Sequence, residues 1–192
     1  MVALIFVNFG RNSIAIIIYL FLSDPTAFSA TGGDIAFFSN VGSIAAMVSG
    51  LVVGFKVAKS DDYKVMMSGV LLSIAAITWL IITPSFALAL VASFLIGSSH
   101  VVIESASYSI VARMTPEEYR GRLFAYYNAT FFLSWGIAAT FIAGPIADFL
   151  IANGSSNADA YRGSFMAAIV LIAIGVVVLL ISFRYSRKNE LS

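Results

Sequence analysis

Apolar residues fill this chain in long unbroken runs rather than in alternation with polar ones: 2–22, 35–55, 65–82, 86–112, 123–152 and 164–183. A helix crosses a bilayer with about 20 consecutive apolar residues, whereas a membrane strand alternates apolar and polar positions over about 10. The runs therefore predict six membrane-spanning helices, spans one to six, in an all-α bundle that takes up residues 1–192 as one unit. The connections between them are too short to hold a further domain. The first run is a span rather than a secretory signal, because it lacks a basic start, carries Arg11 in its middle and ends without a small-residue cleavage site.

Composition agrees with the pattern. The chain is 60% hydrophobic and 11% charged, with a mean hydropathy of +0.95, where a soluble domain is about half apolar and a quarter charged. With no cysteine and a single histidine, neither a disulfide framework, a thiolate metal site nor a histidine-rich cluster can be built, and no metal or cofactor is called for. A net charge of +1 provides no basic surface for nucleic acid. The few charges report topology instead. Lys56, Lys59, Lys64, Arg113, Arg120, Arg122, Arg184, Arg187 and Lys188 follow spans two, four and six, and the opposite connections hold only Arg162. By the positive-inside rule, both termini are expected in the cytoplasm.

Against this apolar background, polar side chains fall in stripes. In span four Ser93, Gly97, His100, Glu104, Ser107 and Tyr108 recur at spacings of three and four, which puts them on one helical face. Asn8, Arg11, Asn12 and Tyr19 do the same in span one, and Asn40 and Ser43 in span two join Asn128 and Trp135 in span five. At about 1.5 Å per residue, Arg11 and Glu104 sit roughly 13 and 12 Å from the cytoplasmic ends of their helices. A charge near the bilayer centre costs at least about 2.5 to 3.5 kcal/mol, so opposite charges at one depth are expected to be partners across an interior cavity. Two readings of the pair stand, a static bridge locking spans one and four, or a binding and proton site. His100 is either a neutral core histidine or part of that site.

The stretch 112–150, ARMTPEEYRGRLFAYYNATFFLSWGIAATFIAGPIADFL, opens with Pro116, which can start a turn of helix with Glu117 and Glu118 at its positive end. Arg120 and Arg122 then mark the headgroup level, as an anchor or as a gating latch. Gly144-Pro145 removes a backbone hydrogen bond and invites a bend in span five, which is either a hinge or static. Gly50 and Gly54, and Gly136 with Ala139 and Ala143, are expected at helix contacts.

Through Pro116, Glu117, Arg120, Gly121, Arg122, Gly136, Gly144 and Pro145, this stretch resembles the joint between the fourth and fifth helices in the second half of major facilitator superfamily transporters, above all the branch with the enterobactin and multidrug exporters. Gly50, Gly54, Lys56 and Lys59 loosely share the family's signature, without its aspartate. The resemblance implies two six-helix halves per transporter, with this chain as the C-terminal half, two three-helix inverted repeats within it, and spans one and four lining a central cavity. Carriers place their sites near the midplane between such repeats.

The expected function is secondary active transport, proton-coupled export of a small molecule across the cytoplasmic membrane. Arg11 would bind an anion or pair with Glu104, Glu104 would carry the proton, and His100 would relay it, with Asn8, Asn12, Asn40, Asn128, Trp135 and Tyr108 along the pathway. Arg120, Gly121, Arg122, Lys56 and Lys59 would gate at the cytoplasmic loop, and Gly144 and Pro145 would hinge. A carboxyl held between apolar surroundings and a guanidinium can exchange its proton as the cavity opens to either side. An enzyme is not expected, since no GxSG turn accompanies the single histidine as an intramembrane serine protease requires. The rival class is a non-transporting six-helix scaffold or subunit, in which the stripes would be glue between helices. Either an N-terminal six-helix half or a second copy is expected to cover the polar stripe, because the chain starts directly in an apolar span.

Overall fold

In the computed structural model, residues 2–57 and 61–190 are described, with side chains for 2–54 and 61–184. The helices are α1 (Val2–Ser13), α2 (Ile17–Ser23), α3 (Gly32–Val57), α4 (Asp62–Ile82), α5 (Phe86–Met114), α6 (Arg120–Ala138), α7 (Gly144–Ala152) and α8 (Asn157–Glu190). A single 3₁₀ turn, Glu117–Tyr119, precedes α6, and a π turn, Ala139–Ala143, joins it to α7. Six stretches are long and apolar enough to span a bilayer: Val2–Ser23, Gly32–Gly54, Asp62–Ile82, Phe86–Met114, Glu117–Ala152 and Asn157–Arg184. No strand occurs among the described residues.

Helix starts are written in side chains. Thr31 and Asp34 bond reciprocally across the first turn of α3, the Asp34 carboxylate accepting from the Thr31 N–H at 2.9 Å and the Asp34 N–H donating to the Thr31 hydroxyl at 3.3 Å. Ser156 and Asp159 repeat part of this arrangement at α8, and the Ser85 hydroxyl accepts from the Leu88 N–H at α5. Each satisfies N–H groups that a helix end leaves without partners.

Two spans depart from a simple helix. Span one was expected to run unbroken, but it opens at Ile14–Ile16 between α1 and α2. The Ser13 hydroxyl donates to the Gly10 carbonyl at 2.7 Å, a local bond that competes with the helical ladder and bends it, and a run of β-branched isoleucines follows. In span five the ring of Pro145 lacks the N–H of a regular helix and crowds the carbonyl four residues back. The wider π turn just ahead of it, closed by the Gly144 N–H donating to the Ala139 carbonyl, takes up that misfit.

Packing follows an internal twofold. Span one packs against five and six, and span four against two and three; three meets six, and the one–two and four–five contacts are small. Exchanging one with four, two with five and three with six maps these pairings onto one another, and three–six onto itself. The tight contact of α7 with α8 breaks the rule. This is the arrangement of two three-helix inverted repeats.

The close crossings differ from those the glycine pattern suggested. A Cβ at Gly54 or Gly136 would meet nothing within 4 Å, and one at Gly50 only the edge of Val101 at 3.3 Å. The backbones approach instead at Gly97 against Gly42, where α5 crosses α3, and at Gly10 against Ala168 and Ile172, where α1 crosses α8. Only a residue without a side chain admits such an approach.

Candidate functional site

Arg11 sits one turn before the opening of span one, on the face turned to span four. Its guanidinium donates to Nδ1 of His100 at 2.5 Å. A ring nitrogen that accepts from a guanidinium carries no proton, so the imidazole has its hydrogen on Nε2. Nε2 in turn faces a carboxylate oxygen of Glu104, one turn further along α5, at 3.6 Å. Cation, neutral ring and carboxylate thus form a line from span one into span four. The expected direct pairing of Arg11 with Glu104 is not what forms: no ion pair joins them among the described residues, and the imidazole stands between. The spacing of three and four that put His100 and Glu104 on one face also placed His100 closer to Arg11 than the carboxylate, which depth alone could not distinguish.

Above this line lies a cavity of about 280 Å³ bounded by spans one, two, three, four and five. Arg11, Asn12 and His100 line it at one end, and the side wall includes Ser39, Ser43, Ser73 and Ser93. Ile14 and Ala15, at the opening of span one, are also part of the wall, and Trp135 reaches it from span five.

The remaining expected residues divide into three groups. Asn12 is buried and donates to the Ser134 hydroxyl of span five at 2.7 Å, which ties the cavity's end to a third element. Asn8, one turn away, is 2% exposed, and its amide nitrogen has no partner among the described residues. Tyr108 and Asn128 join by a 2.8 Å bond from hydroxyl to amide oxygen, with Tyr108 stacked on Phe124 and against Tyr127. They are therefore brought together on the far side of Glu104 from the cavity rather than in its wall. Asn40 is not in the cavity either; it is exposed on α3.

At the loop after span four, Arg120 donates to the Thr115 carbonyl at 3.4 Å, while Arg122 bonds the Tyr126 hydroxyl at 3.3 Å and lies over its ring. Both are exposed, as is Gly121, and neither arginine pairs with an acid among the described residues. The side chain of Lys56 and the whole of Lys59 lie outside the described residues. Gly144 and Pro145 follow the π turn of span five.

One feature went unread in the sequence. At the loop end of spans three and four, Asp62 is 6% exposed, accepts from the Ser109 hydroxyl at 2.8 Å and pairs with Arg113 at 3.1 Å. Nothing in the string Asp61-Asp62 marks the second as the buried one. Tyr127 is 3% exposed, with its ring 4.8 Å from that of Tyr108. No group of three or more histidines or acids placed to hold a metal occurs among the described residues.

The described residues thus combine six apolar spans and an internal twofold with a line of ionisable side chains below a cavity between spans one and four. No curated protein matches the sequence. The family description that does match, over residues 1–191, is the Major Facilitator Superfamily, and the chain belongs to that superfamily as an integral membrane protein of the transporter class.

Proposed function

We propose that this chain is the C-terminal six-helix half of a proton-coupled secondary transporter that exports a small molecule across the cytoplasmic membrane, with both termini in the cytoplasm. The observation that carries the reading is the Arg11–His100–Glu104 line ending at the cavity. Buried ionisable groups in a membrane are costly and belong at binding or proton sites. Glu104 carries the proton, His100 passes it between the carboxylate and the cavity once Arg11 releases Nδ1 to take a proton, and Arg11 holds the charge balance. Tyr108, Tyr127 and Asn128 extend the polar line toward the cytoplasmic end. The opening of span one beside the cavity and the π turn before Pro145 are the places where the two repeats bend, with Gly144 and Pro145 as the hinge.

A covering partner is part of the proposal. Spans two and five are the least covered of the six, with 11% and 22% of their apolar windows buried. Asn40 is exposed there, although hydrocarbon offers it no hydrogen bond. An N-terminal half, or failing that a second copy, would supply the opposite wall.

The test is transport in proteoliposomes that hold the chain with its covering half, under an imposed pH gradient and with a panel of small organic anions, cations and neutral compounds. Movement of substrate should drive proton movement, and Glu104→Gln should abolish that coupling while inserting normally. A variant that still couples substrate to protons as the parent does would remove Glu104 from the mechanism.

A further inference from the structure

We propose that the cavity beside Arg11 binds a small monoanion with an apolar body, a monocarboxylate, and that anion and proton occupy the protein together. The inference rests on the transporter reading and deepens it by naming the substrate class.

Arg11 is the one charged side chain that lines the cavity; Glu104 does not reach it. The guanidinium has five N–H groups in a planar fork, and His100 takes one of them. No other partner for Arg11 occurs among the described residues. An anion entering the cavity therefore meets free donors of the geometry that a carboxylate matches with both oxygens. The remaining surface suits an apolar body: Ile14, Ile18, Ile77, Ile96 and Phe38 make the walls, with serine hydroxyls between them. A cation would face Arg11 without a countercharge in the wall. A dianion would bring two charges to a single guanidinium whose charge Glu104 already offsets in part.

The linkage to protons follows from the same line of groups. Glu104 is faced by His100 from its own helix, and lies within electrostatic range of Tyr108 on that helix, of Arg11 from span one and of Tyr127 from span five. Arg11 is the only cation in that set. When Glu104 is ionised it offsets Arg11, and a second anion is poorly accommodated. When Glu104 takes a proton, Arg11 is left uncompensated at mid-membrane, and the substrate carboxylate replaces the lost charge. Proton and anion thus favour each other's binding, and by reciprocity each strengthens the other by the same factor. The coupled species is an anion plus a proton moving in one direction with no net charge. Export then means that both leave together.

The test uses hexanoate, hexanamide and hexylamine, which share a body and differ in charge, with the full chain in lipid nanodiscs. Trp79→Phe leaves Trp135, in the cavity wall, as the only indole, and its fluorescence reports occupancy. Hexanoate should bind about tenfold or more tighter than hexanamide, and hexylamine more weakly still. Binding of hexanoate should take up about one proton per anion, read by a pH dye in weak buffer. Glu104→Gln should bind hexanoate at least as well as the parent and take up no proton. Arg11→Lys should keep the preference for the anion, and Arg11→Gln should lose it. The proposal falls if the amide or amine binds as well as hexanoate, if none of the three binds, if anion binding releases protons, or if Glu104→Gln loses hexanoate. Should hexanoate bind with proton uptake yet never move across proteoliposomes, the site stands and the transport reading fails. Should proton-coupled transport carry the amine or the amide and not hexanoate, transport stands and this assignment fails.

Discussion

Gly97→Ala adds one methyl group at the crossing of α5 and α3. The new Cβ would stand 2.7 Å from the carbonyl carbon and 2.9 Å from the Cα of Gly42, and closer still to the Gly42 oxygen. Non-bonded carbons rest at about 3.5–4.0 Å, so the helices must part by roughly 1 Å. The obstacle is backbone, which cannot turn aside as a flexible side chain would. A gap of that size forfeits about a quarter to a half of each contact along the seam, and overpacking of this kind typically costs about 1–3 kcal/mol. The gain in helix propensity returns up to about 1 kcal/mol. Gly136→Ala is the matched control, since its Cβ meets nothing within 4 Å and only the propensity gain applies. The two variants should therefore differ by about 1–3 kcal/mol, the cost of overpacking alone, in the order Gly136→Ala more stable than parent and Gly97→Ala less. Reversible unfolding in mixed micelles, followed by tryptophan fluorescence as denaturing detergent is raised, measures the difference. Because Gly42 and Gly97 both line the cavity, Gly97→Ala should also alter access of an apolar quencher to Trp135. Equal stability of the two alanine variants would refute the close approach of α3 and α5, and with it the shape of the cavity.

Ser134→Ala should cost about 1–3 kcal/mol by the same unfolding assay, because it strands the buried Asn12 amide; the Asn12→Ala, Ser134→Ala double variant should cost less than the sum of the singles. Asp24, just past span one, is held below its ordinary value of 3.8 by the Thr26 hydroxyl, with the Thr26 N–H and Asn157 adding to it and burial opposing. Its folded value is depressed, so its stabilising contribution is present above the ordinary carboxylate range and is lost as pH falls through the lower folded value. Hydrogen exchange across residues 24–30 should rise at that acid end in the parent, whereas Asp24→Asn should exchange independently of pH there once intrinsic rates are removed. Single cysteines at exposed Glu118 and Asn153, in a chain with none of its own, should react with an impermeant maleimide from opposite sides of the membrane, Glu118 from the cytoplasm; labelling from one side would overturn the six-span count.

The sequence by itself determined the number of spans, their helical character and their placement in a bilayer, because those depend only on run length and on the cost of unpaired backbone in hydrocarbon. It also marked Arg11, His100 and Glu104, since ionisable residues stand out within apolar runs and helical spacing assigns them a face. Which of the three touch was decided by the tertiary structure. Equal depth suggested Arg11 with Glu104, but azimuth and side-chain reach put the His100 ring between them. The same holds for glycine: Gly50, Gly54 and Gly136 were as small as Gly42 and Gly97, yet only the angle at which α3 meets α5 selects the pair whose backbones touch. Asp62 and Tyr127 became site residues through burial, which depends on helices distant in sequence. The break at Ile14–Ile16 was in the letters as a serine followed by β-branched residues, but many continuous helices carry such strings. Only the tertiary structure shows that the ladder opens beside the cavity, which Ile14 and Ala15 line.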